Sequence, residues 1–171
     1  MLSPIEHPEL LSAAWPTASL VALLLLGLAA CSASSLPAGL SQRLDSPGAQ
    51  LDRAEALRLV NQFRASRGAP PLVEDPTLNQ QAQTLASQYA ATNNQPARPN
   101  GVGAMHLSAG YANFAETFSG WRSDDNVTRS LANPAFTRIG LAASFAASST
   151  YGVHWVMLLA EPIAAPAVAA Q

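Results

Sequence analysis

The chain has 171 residues, of which 49% are hydrophobic, with nine arginines against eleven carboxylates and a net charge of −2. That balance gives no basic surface for nucleic acid or for anionic lipid headgroups. There is no lysine, which removes Schiff-base chemistry and a P-loop lysine, and a single cysteine allows no intramolecular disulfide.

In chain order, the first feature is the apolar run Leu20 to Gly27, followed by Leu28-Ala29-Ala30-Cys31. Counted through Cys31 the apolar stretch is 12 residues, short of the roughly 20 that a spanning helix needs, and it ends in small residues, as a cleaved signal peptide does. The Leu-Ala-Ala-Cys sequence resembles the lipobox of bacterial lipoproteins. The resemblance implies cleavage after residue 30 and lipidation of Cys31, which makes the membrane a partner through an N-terminal lipid. Met1 to Ser19 contains neither Lys nor Arg, a departure from the usual positive n-region. Ser32 after the cysteine, by likeness to enterobacterial sorting, points to the outer membrane and not the inner one. The expected localisation is therefore a bacterial cell envelope, exported and lipid-anchored.

Residues 31–50 are rich in Ser, Pro, Gly and Ala and read as a flexible tether. Residues 51–162 have the length of one domain, and the Pro- and Ala-rich residues 163–171 read as a disordered tail. The domain opens with a helix from Asp52 to Gly68, in which Asp52 caps the start and Gly68 ends it. Ala56, Leu59, Val60 and Phe63 form its apolar stripe against an arginine-rich face. Pro70 and Pro71 enforce an extended connection. Asp75-Pro76 starts a second helix through Leu78, Ala82, Leu85, Ala86 and Tyr89.

Asn93 to Gly103 is a loop by composition, and Asn113 to Trp121 a third helix. The period then changes, predicting strands at Thr137–Phe145 and Tyr151–Leu159. In the second, Val153, Trp155, Met157 and Leu159 share one face, and His154, Val156 and Leu158 the other. Two apolar faces predict a central strand covered by helices. The fold class is α+β.

Four stretches in order resemble the CAP domain, the cysteine-rich secretory, antigen 5 and pathogenesis-related 1 superfamily, also called SCP, in its short bacterial form. They are Val60 to Gly68, Pro71 to Asn79, Phe118 to Trp121 with Asn133 to Gly140, and Tyr151 to Trp155. The resemblance implies a three-layer α-β-α sandwich with a small antiparallel sheet flanked by helices. It also implies a cavity where two histidines and acidic residues bind zinc. That set does not carry over intact. Counting from Trp121 and from Pro134, one family histidine falls at Val127, which can neither ligate a metal nor transfer a proton. The segment of the other is shortened to Asn93 through Ala104 without histidine, and Met105-His106 stands where the family has Glu-Asn.

His106, Glu116 and His154 remain as catalytic candidates, with His106 and His154 as possible metal ligands. A catalytic zinc needs about three protein ligands, and no spacing here enforces their convergence. In the alternative reading, His154 is a hydrogen-bonded core or cavity-lining residue, Glu116 a solvated one, and Asp124 and Asp125 precede a loop that they cap or solvate. Ser108 and Ser119 lack a nucleophile-elbow context. Trp121 and Trp155 anchor the core.

Three functions stay open: a non-catalytic module binding a lipid, sterol, peptide, cell-wall ligand or protein partner; a metal-dependent hydrolase with a rearranged His/Glu site; and a structural envelope protein. The expectation is a monomer without cofactor, zinc being the one candidate.

Overall fold

Asp52 accepts a hydrogen bond from the Glu55 amide at 3.0 Å and so starts α2, Arg53–Ser66, while Gly68 leaves it at φ +71°. These elements belong to a computed structural model that describes residues 37–163. The leader 1–30, Cys31 and the tail beyond residue 163 lie outside the described residues. Before α2 comes a single turn, α1, Ala38–Ser41. After it, the strand β1 spans only Val73–Glu74, because Asp75 turns at once into the cap of α3. That helix covers Pro76–Thr92, with Pro76 in its first turn and the left-handed Asn93, φ 56°, ending it.

The chain continues through β2, Ala104–Ala109, and α4, Phe114–Arg122, to α5, Asp125–Ala132. It closes with β3, Arg138–Phe145, and β4, Val153–Ala160. The sheet order is β1-β3-β4-β2, with β1 parallel to β3 and the other pairs antiparallel. The central strand is β4, buried at every residue.

Its two faces feed two cores, as the alternation predicts. Val153, Trp155, Met157 and Leu159 pack with Val60, Phe114, Phe118, Val127 and Leu131 from the helices α2, α4 and α5. Val156 and Leu158 pack with Leu78, Ala82 and Ala86 of α3. Helices therefore cover both faces, giving the three-layer α-β-α sandwich. Close contact between α3 and β3 depends on Gly140, where a Cβ would lie 2.4 Å from the Leu78 backbone.

Four local expectations need correction. Residues 37–50 are not tether: Leu40 and Leu44 are buried in the main core, and the Leu44 amide donates to the Ala112 carbonyl at 2.7 Å. Two leucines spaced by a turn are enough to dock a segment whose overall composition reads as linker. Asp124 does cap, but it starts the helix α5 and not a loop, the first amides of that helix donating to the Asp124 carboxylate at 2.7 and 3.3 Å. The strands β1 and β2 form where the sequence pattern predicts none. Finally, Arg64 does not join the solvated face of α2: it is fully buried, its guanidinium donating to the carbonyls of Pro70, Leu131, Asn133 and Phe136.

Because residues 37–50 are part of the fold, Leu44→Ala should cost roughly 3 kcal/mol by leaving a cavity in the main core. Urea unfolding should show this as a lower midpoint with an unchanged slope. A change under about 0.5 kcal/mol would mean that the segment is only laid on the surface.

Candidate functional site

A strand's side chains alternate between faces, so the register of β2 on β4 decides where each histidine points. His106 pairs with Met157 and shares its face, under the layer formed by α2, α4 and α5. His154 pairs with Ala109 on the other face, toward α3. The sheet itself separates the two imidazoles.

His106 lines a pocket of about 320 Å³ with Gln95, Pro96, Met105, Leu107, Asp124 and Val127. Val127 and Asp124 reach it because Asp124 caps α5 and Val127 sits one turn in, buried. Burial pushes the His106 pKa down, with the Asp124 carboxylate opposing in part, so the imidazole is neutral at pH 7. Its Nε2 is buried and has no hydrogen-bond partner. An unpaired polar atom in a partly apolar pocket is an unmet hydrogen-bonding demand.

Zinc does not fit this donor set. Beside His106 the pocket offers one carboxylate, the exposed Asp124, and an isopropyl group at the position from which a second imidazole would have to come. Among the described residues no three of His, Cys, Asp and Glu cluster. Glu116 is exposed in the first turn of α4, where its carboxylate accepts from the Ala112 amide at 3.3 Å, while the Glu116 amide donates to Asn113 at 2.9 Å. It is part of the start of the helix, away from the His106 pocket lining. The three candidates His106, Glu116 and His154 are thus not assembled into one site.

His154 is fully buried. Its ring lies 4.5 Å from that of Tyr89, edge to face, and its Nε2 is 3.3 Å from the Ser149 hydroxyl, which donates to Asn93 Oδ1 at 2.5 Å. The Nδ1 atom has no partner, so no carboxylate orients this ring as a catalytic base is oriented. The Ser149 and Asn93 contacts escape a reading of the sequence because a hairpin turn and a helix end, 56 residues apart, supply them. Ser108 lies on β2 and Ser119 is exposed on α4. Trp121 and Trp155 are buried anchors, donating to the carbonyls of Leu107 at 3.3 Å and Tyr111 at 2.9 Å.

The sequence model of the cysteine-rich secretory protein family, CAP, matches residues 57–159. Among solved structures, the fold is similar to MpPR-1i in crystals soaked with selenourea, with a TM-score of 0.55, 18% identity and coverage of 66% of this chain and 92% of that one. Another crystal structure of MpPR-1i gives 0.53, at 18% identity, covering 67% and 90%. An extracellular protein with an SCP domain from Bacillus anthracis str. Ames gives 0.51, at 14% identity, covering 63% of this chain and 40% of that one. No curated protein matches by sequence.

Burial also pushes the His154 pKa below the ordinary histidine value. With a depressed folded value, the unfolded chain binds the proton more readily, so stability is complete above about pH 6.5 and falls as pH drops toward the folded value. Unfolding measured from about pH 7.5 to 5.5 should show this decline, and His154→Gln should make it shallower, the remainder belonging to His106, whose pKa burial also lowers. An unchanged slope in the variant would assign the decline to other groups.

Proposed function

The chain belongs to the cysteine-rich secretory protein family, and from that premise we propose that it is an envelope-anchored, non-catalytic binding module whose ligand enters the His106 pocket. The observation that carries this reading is the buried, unpartnered His106 Nε2 beside Val127. A neutral imidazole beside Pro96 and Val127 suits a small, partly apolar ligand with one hydrogen-bonding group. The same lining offers too few donors for a catalytic metal. Export and anchoring rest on the apolar run and Leu-Ala-Ala-Cys31, in keeping with an extracellular relative of the same fold.

The pocket reading predicts a gain of function. Calorimetric titration of the native chain with zinc should show no stoichiometric uptake. Val127→His should create it, by placing a second imidazole beside His106 and Asp124, and adding His106→Ala should remove it. Stoichiometric zinc binding by the native chain that is lost in His106→Ala would overturn the proposal in favour of a metal-dependent enzyme.

Anchoring is tested separately. Cys31→Ala should move the protein from the membrane fraction to the soluble fraction. Membrane association that survives the substitution would sink the lipobox reading.

A further inference from the structure

We propose a second binding site, independent of the His106 pocket, on the open edge of β3: a slot for the end of an extended peptide with a free α-carboxylate. Because β1 is two residues long, it covers β3 only at Arg138 and Ile139. The outward-facing backbone of β3 then continues uncovered by any strand among the described residues. Side chains take the place of a strand there. The Leu141 amide donates to Asn79 Oδ1 at 2.9 Å, its carbonyl accepts from Arg53 Nε at 2.9 Å, and the Ala143 carbonyl accepts from Gln83 Nε2 at 3.2 Å. Residues of an antiparallel strand alternate in the side to which both backbone groups point, so the Ala143 N–H faces outward as well.

It faces a polar slot of about 390 Å³, walled by Gly48, Ala49, Gln50 and Leu51 and by the side chains of Arg53 and Gln83. Only Nε of Arg53 is engaged, and no carboxylate pairs with it among the described residues. Glu74 lies in the groove on the other side of Arg53 and is held by Asn79 at 2.5 Å. The slot therefore presents a guanidinium with free N–H groups, an outward amide N–H and the Gln83 amide oxygen. These are the complements of a carboxylate, a peptide carbonyl and a peptide N–H, the groups that a chain end presents when it extends a sheet edge. Gly48 and Ala49 add no bulk to the wall, so an alanine dipeptide is the smallest probe that presents all three groups.

The test uses the full chain, ¹⁵N-labelled in mild detergent, titrated with N-acetyl-alanyl-alanine as the free acid and as the C-terminal amide. The free acid should move the Ala143 amide, Gln83 side-chain amide and Arg53 Nε signals saturably, and the amide form should bind at least about tenfold more weakly. Arg53→Gln should weaken the free acid by a similar factor. Since Arg53 also ties down Leu141, the exposed Gln50→Trp serves as a second variant that blocks the slot without touching the β3 edge. The site is refuted by equal binding of acid and amide, by shifts that survive both variants, or by no saturable shift at Ala143 at about 10 mM peptide. Shifts confined to the surroundings of His106 would likewise refute it, while supporting the ligand pocket there.

Discussion

A fully buried guanidinium, paired with no carboxylate among the described residues, organises this fold. Arg64 donates from α2 to the carbonyls of Pro70, Leu131, Asn133 and Phe136, tying α2 to the connection that follows it and to the stretch that ends α5. Burial depresses its pKa, yet arginine stays protonated, so the cation must be solvated by the protein. Carbonyls at the end of α5 suit the task, because a helix C-terminus carries partial negative charge. The consequence reaches beyond stability. By holding Leu131 and Asn133, Arg64 fixes where α5 ends, and with that where Val127 and Asp124 stand over the β2 strand.

A sheet covered on both faces imposes the second constraint. The register β2 on β4 puts His106 and His154 on opposite sides, and no side-chain rotation brings them together. The two imidazoles therefore belong to different environments: one opens on a pocket, the other is sealed against Tyr89 and the β3–β4 turn. Burial lowers the pKa of both, but only His106 lines an open pocket among the described residues.

Helix caps and strand alternation are legible in the sequence because each is a local rule with one physical cause. Asp52, Asp75 and Asn113 accept from amides two or three residues ahead, and such short-range geometry needs no partner from elsewhere. The two apolar faces of β4 likewise announce its central place. The features that stay hidden depend on distant chain. The β2 strand, Ala-Met-His-Leu-Ser-Ala, has no β-branched residue and owes its form to pairing with β4. In α5, Val127 and Leu131 stand four apart on one buried face, but eight residues give only that one large apolar pair to mark the helix. Arg64 resembles any other arginine on α2 until its carbonyl partners, as far as 72 positions later, are in place. The missing histidine at Val127 is visible as a letter, whereas its place in the His106 pocket is not.

Where the functional openings fall depends on the same architecture. Helices close both faces of a three-layer sandwich, so the sheet's own backbone is accessible only along its edges among the described residues. The two edges are finished differently. At β2, Trp121 donates to the Leu107 carbonyl, and the adjoining pocket is floored by His106 and Val127. At β3, Asn79, Arg53 and Gln83 bond to the backbone that β1 is too short to cover. Satisfying an edge with side chains prevents indiscriminate strand pairing, and it leaves those side chains with unused donors and acceptors. A neutral imidazole beside one edge and a guanidinium at the other differ in chemistry, so the ligands proposed for the two sites would meet the domain at opposite edges, with the core between them.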